Sequence, residues 1–228
     1  MRVEIKHGPS YAIAYCVLDE YETVRVEQDA MAWMSDGLKV SADIGGGGVV
    51  KAALRSRVGK EGFIWATYTA KIAQSWVAVA PPAPGDITAI DLRPDGPSIR
   101  SETGAILAMN AELNAKVSYG GIGNAILKEG IALVETSGSG TLLLGSYGAI
   151  EKLSLDEGQR MTVDSGHLVA WEDTINIRTG TLQGAAKSVL TGEGFVAAVS
   201  GHGNIWLQTR AERALESWLF PEKKQNKS

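Results

Sequence analysis

The groups in this chain that could do chemistry are few and scattered. The histidines His7, His167 and His202 lie far apart, and none belongs to an HxH or HExxH pair. Such close spacing is what sets two imidazoles on one face to hold a zinc or iron ion. A barrel metal site of the cupin kind would likewise want two histidines near each other on one strand. No metal-ligand set is expected. Nucleophilic catalysis has no better footing: no GxSxG elbow joins a strand to a helix, and Ser137 and Ser139 of TSGSGT suit a turn. The carboxylate pairs Asp156-Glu157 and Glu172-Asp173 fall at turns and read as solvated loop residues. Cys16, the single cysteine, sits in the alternating segment YAIAYCV and reads as a small buried hydrophobe. One thiol makes no internal disulfide and suits a reducing compartment. No catalytic residue, cofactor site or metal site is assigned.

The best approximation to a ligand site is Gly45-Gly46-Gly47-Gly48 with Lys51 close behind. Backbone N–H groups at a helix start attract phosphate, which makes these five residues a candidate anion nest. Against it, the order GxxxxGK[ST] is missing because Ala52 follows Lys51, and no βαβ rhythm supports a dinucleotide fingerprint. The competing reading is a flexible link between a strand and a short helix.

The elements that must position any site repeat. ETVRVEQDAMAW, SIRSETGAILAM and RMTVDSGHLVAW are three alternating lead-ins that end on Ala32-Trp33, Ala108-Met109 and Ala170-Trp171. Each is followed by an apolar segment opened by Glu61-Gly62, Glu129-Gly130 or Glu193-Gly194. The recurrent pairs read as structural corners. Self-similarity of this length means one supersecondary unit copied, each copy completing its neighbour's core. Period-2 alternation predicts strands at 2–6, 11–17, 22–27, 37–43, 62–68, 75–80, 111–118, 130–136, 140–146, 174–180, 194–200 and 203–209. Glycine- and proline-rich turns such as HGPS, PPAPGD and SGHG separate them. The alternating ITAIDL re-enters the body after PPAPGD. Short helices are predicted at 49–58, 122–128 and 185–191, capping β-edges. The tryptophans of the repeat and strand patterns, Trp33, Trp65, Trp76, Trp171 and Trp206, read as core.

The C-terminal segment differs. Ala211, Ala214, Leu215, Trp218 and Leu219 recur at helical spacing, Pro221 stops the helix, and the polar tail EKKQNKS follows. Leu215, Trp218 and Leu219 form a candidate partner-facing stripe. The expected fold class is all-β: tandem, three-fold repeated double-stranded β-helix or sandwich-like modules with short helices. One body spans 1–209, with repeats at about 1–92, 93–147 and 148–209; a helix spans 210–220 and a disordered tail 221–228.

Composition narrows the function classes. Hydrophobic residues make up 44% of the chain and charged residues 21%, ordinary for a globular protein that folds without staples. A net charge of −4 and a pI near 5.5 count against a general nucleic-acid binder. MRVEIKHGPS lacks a signal peptide's apolar core, and no run approaches the roughly 18 apolar residues of a membrane span. Cytoplasmic residence is the expectation.

The landmarks also carry a resemblance. GGGG, EGFIW, VAPPAPGDITAIDL, SGSGTLLLGSYGAIEKLSLDEG, DSGHLVAWED, TGEGF and GNIWLQTR, in that order, resemble the domain-of-unknown-function 124 family, which includes altered inheritance of mitochondria protein 24. The resemblance covers about residues 1–210; the helix after Arg210 lies outside it. It implies a fold similar to the trp RNA-binding attenuation protein, with short double-stranded β-helix units joined in tandem. It implies no enzymatic activity and no catalytic motif, so no functional residue is carried over. The relative's link to inner-membrane organisation is not transferred to a chain with no recognisable transit peptide. The function expected is a non-enzymatic scaffold or binding protein that self-associates, with a trimer as the expected homo-oligomer. The alternatives are RNA or small-ligand binding, by analogy with the attenuation protein, and a cupin-like metal enzyme.

Overall fold

The computed structural model describes residues 1–43, 65–118, 133–180 and 196–220. Among these the chain is mostly antiparallel β-structure. The helical candidates at 49–58, 122–128 and 185–191, the three Glu-Gly pairs and the glycine run with Lys51 all lie outside the described residues.

The strands are β1 (Arg2–Lys6), β2 (Ile13–Leu18), β3 (Thr23–Glu27), β4 (Met31–Met34), β5 (Leu38–Asp43), β6 (Trp65–Ala70) and β7 (Ser75–Val79). There follow β8 (Ile87–Leu92), β9 (Ile99–Glu102), β10 (Ile106–Asn110), β11 (Asn114–Ser118), β12 (Leu133–Ser137) and β13 (Gly140–Gly145). The last are β14 (Ile150–Leu155), β15 (Arg160–Asp164), β16 (Leu168–Glu172), β17 (Ile175–Gly180), β18 (Val196–Gly201) and β19 (Gly203–Gln208), with helix α1 (Glu212–Leu219) after them. They form four sheets: β1-β2-β7-β4, β5-β6-β3-β10-β13-β8, β11-β12-β9-β16-β19-β14 and β15-β18-β17.

One pairing scheme recurs along the chain. In the first stretch β2 and β4 flank β7 while β3 and β5 flank β6. In the second, β8 and β10 flank β13 while β9 and β11 flank β12. In the third, β14 and β16 flank β19 while β15 and β17 flank β18. Two further pairings stitch the stretches together: β3 with β10, and β9 with β16. These two junctions turn half-sheets into six-stranded sheets.

The register corrects the alignment drawn from sequence. Met31 pairs with Val79, Ile106 with Leu144 and Leu168 with Leu207. In each strand one residue then bulges out, and Trp33, Ala108 and Ala170 take the next rung, followed by Met34, Met109 and Trp171. A bulge sets two residues against one, so it fixes the register of the strand that carries it. Trp33 therefore corresponds to Ala108 and Ala170, and Met34, not Trp33, to Met109 and Trp171. Ala-Trp at 32–33 looks like Ala-Trp at 170–171, but the first copy is shifted by one residue, which sends its side chains to opposite faces.

Apolar residues collect in three clusters. The first joins Cys16, Leu18, Val77 and Val79 to Val24 and Val26, with Ala108 and Leu143 from the following stretch. The second joins Leu142, Leu144 and Met109 to Val134, with Ala170 and Trp206 from the following stretch. The third holds Trp171, Leu168, Ile205, Ile175 and Val199. Burying each large aliphatic side chain contributes about 1.5–3 kcal/mol. The first two cores are thus shared across a junction, and neighbouring stretches stabilise each other.

Candidate functional site

A polar side chain at one repeated position shapes each stretch. Ser35, Asn110 and Glu172 follow the apolar runs of β4, β10 and β16, and each reaches across to the strand beside it. Ser35 Oγ accepts the Trp76 N–H at 2.9 Å, Asn110 Oδ1 the Thr141 N–H at 2.9 Å, and Glu172 Oε2 the Asn204 N–H at 2.9 Å. Glu172 Oε1 also accepts from Asn204 Nδ2 at 2.6 Å. Asp173 Oδ2 accepts from Ser98 Oγ at 2.8 Å. Glu172 and Asp173 are therefore half-buried structural acceptors, not solvated loop carboxylates. Sequence reading missed this position because three chemically different residues fill it; the usable signal was a polar residue directly after MAWM, ILAM and LVAW.

His7 and His202 are exposed in separate turns, and half-buried His167 contacts the Gln208 carbonyl through Nδ1 at 2.6 Å. Among the described residues no cluster of three potential metal ligands occurs. Cys16 is fully buried in the first core, and burial pushes its thiol up to about 12. Glu27 is raised to about 7, first by burial and then by the charge of Asp29.

A cleft of about 560 Å³ lies between α1 and the strand ends, with Pro81, Tyr147, Asp164, Gln208 and Glu212 among its walls. Its polar groups are largely spent on holding backbone. Gln208 Oε1 accepts the Tyr147 N–H, Gln208 Nε2 donates to the Gly166 carbonyl, and Asp164 Oδ1 accepts the Gly166 N–H. Asp164 thus caps a short 3-10 turn at Ser165–His167. These hydrogen bonds tie the strand ends and loops of the cleft wall together.

The exposed apolar side chains are more informative. Met31, Trp33 and Met34 on β4 are 41%, 49% and 43% exposed, whereas Ile106, Ala108, Met109, Leu168, Ala170 and Trp171 are buried to 1% or less. Trp33 therefore departs from the core role expected of it; Trp65, Trp171 and Trp206 keep that role. The reason is topological: β10 and β16 are flanked on both sides, whereas β4 pairs only with β7 among the described residues. Trp33 packs edge-on against Tyr15 at 6.4 Å between ring centres, and Tyr15 against Trp76 at 5.3 Å. Lys6 Nζ lies 4.8 Å from the Tyr15 ring centre. On α1, Leu215 is half-buried, while Trp218, Leu219 and the following Phe220 are exposed.

This architecture has known relatives, and the sequence profile of one family, described as mitochondrial biogenesis AIM24, matches residues 3–210. The chain belongs to that family. An uncharacterized protein of Streptococcus pyogenes serotype M6, M6_Spy0233, is 30% identical over 216 residues, covering 92% of this chain and 86% of the relative. The X-ray crystal structure of protein SPYM3_0169 from Streptococcus pyogenes superimposes with a TM-score of 0.78 at 30% identity, covering 96% of this chain and 97% of that one. The AIM24 match stops at Arg210, so α1 lies beyond it. No described helix of this AIM24-family chain is long and apolar enough to cross a membrane.

Proposed function

We propose that this AIM24-family protein is a non-enzymatic scaffold or binding protein that acts through its surfaces and self-associates. The observation that carries the reading is the exposure of Met31, Trp33 and Met34 at strand positions that are closed over in the other two stretches. Solvated apolar side chains on a strand edge favour association, because covering them removes apolar area from water and pairs free backbone groups. Trp218, Leu219 and Phe220 supply a second apolar surface at the far end of the chain.

The recurrent pairing scheme supports reading the body as three tandem modules of the double-stranded β-helix type. In this reading each module opens on β2, β8 or β14 and closes on β7, β13 or β19. The test is the mass of the full chain in solution, by light scattering over a range of concentrations. Multiples of the 24.1 kDa chain are expected. A single 24.1 kDa species at every concentration overturns self-association.

A further inference from the structure

We infer that copies of this chain join head to tail, the outer edge of β4 in one copy pairing antiparallel with the outer edge of β15 in the next. This rests on the self-association proposed above and names its interface.

The chain contains its own template. At the first junction β3 pairs with β10 through Val26↔Ala108 and Arg25↔Met109. At the second, β9 pairs with β16 through Ser101↔Ala170 and Arg100↔Trp171. The remaining members of these two classes are β15 and β4. Among the described residues, β15 pairs only with β18 and β4 only with β7, so each ends a sheet. The third stretch thus carries the donor half of a junction and the first stretch the acceptor half.

The inner pairings fix the register of the missing contact. Glu27, Glu102 and Asp164 sit on the same rung, opposite Trp65, Leu133 and Val196. Counting from that rung sets Trp33 opposite Val163 and Met34 opposite Thr162. The joined sheet would read β17-β18-β15-β4-β7-β2-β1, whose first six strands follow the order of the other two six-stranded sheets, with β1 added beyond β2. MAWM carries no charge and no proline to blunt its edge, and the bulge in β4 is the one that β10 and β16 carry while paired on both sides. Because the two surfaces differ, the contact is heterologous, and it yields a closed ring if the rotation between copies closes and a filament if it does not.

The test uses two full-length variants, Met34→Lys and Thr162→Lys. Both side chains are exposed, so the protomer fold tolerates the change. Each variant alone should run as a 24.1 kDa monomer with an unchanged circular dichroism spectrum. Mixed together they should form a 1:1 dimer, since each retains the edge that the other lacks. In a Cys16→Ala background, the pair Met34→Cys and Thr162→Cys should oxidise to disulfide-linked multimers, because opposed strand residues lie within bridging distance. If both lysine variants keep the wild-type mass, or the cysteines close within one chain, the β4–β15 interface is wrong while self-association stands. A monomeric wild-type chain removes both.

Discussion

Two ionisable residues in this protein sit in surroundings that change their chemistry, and each makes a prediction. The fold holds Glu27 near pKa 7, against an ordinary value of 4.5, so it favours the protonated carboxyl. Its contribution is complete below about pH 4.5 and is lost as the pH rises through about 7. Glu27→Gln removes that loss. The variant should match wild type in denaturant melts near pH 4 and exceed it near pH 8 by on the order of 1 kcal/mol, once screening at a half-exposed site is allowed for. An equal difference at both values would mean packing, not ionisation, sets the effect. Cys16 is the opposite case: buried and raised to about 12, its thiol should resist alkylation in the native protein and react at once in denaturant. Its role was legible from alternation in YAIAYCV alone. The raised Glu27 was not, because a carboxylate at the end of an alternating run looks like any solvated one until the strand beside it is known.

At the scale of elements, much of the strand pattern was readable and the bulge was not. RVEIK at 2–6, and most of the strands after it, follow from period-2 alternation; β14 was missed, and β4, β9, β10, β15 and β16 stayed hidden inside the lead-ins, because four or five residues beside a tight turn give too few alternations to separate strand from loop. The one-residue slip at Trp33 arose there too, since Ala32-Trp33 matches Ala170-Trp171 in residue type while the pairing aligns Trp33 with Ala170. The acceptor position after it gives a sharp test. Asn110→Ala leaves the Thr141 N–H without its partner and should cost about 1–2 kcal/mol in denaturant midpoint, while Asn110→Asp, which keeps the acceptor, should cost less. The connector PPAPGD also has a steric reason for its glycine. A Cβ on Gly85 would lie 1.6 Å from the Ser146 carbonyl oxygen, where the linkers into the second and third stretches cross. Gly85→Ala should therefore destabilise the protein by about 2–4 kcal/mol, read as a fall in melting temperature.

Across the whole molecule, stability should grade from a shared interior to an independent end. Each core draws side chains from more than one stretch, the second from all three through Trp65, so opening one strand exposes apolar surface on its neighbour as well. Helix α1 is different: it spans eight residues, buries none of them, and has no side-chain cap at its start. Helices this short are marginal in water without tertiary support. The support it has comes from buried Ala211 at its N-terminal boundary, close to Gly166, and from half-buried Leu215. Native-state hydrogen exchange should therefore show the amides of Ala214 to Leu219 exchanging fastest among the described helix and strands, and those of β10, β13, β16 and β19 slowest. Concentration separates the two ways in which α1 could be held. If Leu215, Trp218 and Leu219 dock on the same chain, α1 protection is independent of protein concentration; if they dock on a second copy, it rises with concentration. Trp218 is 76% exposed, so its own body leaves most of that side chain in water. Slow, concentration-independent exchange in α1 would place the helix firmly on its own body and leave the β4 edge as the apolar surface available for assembly.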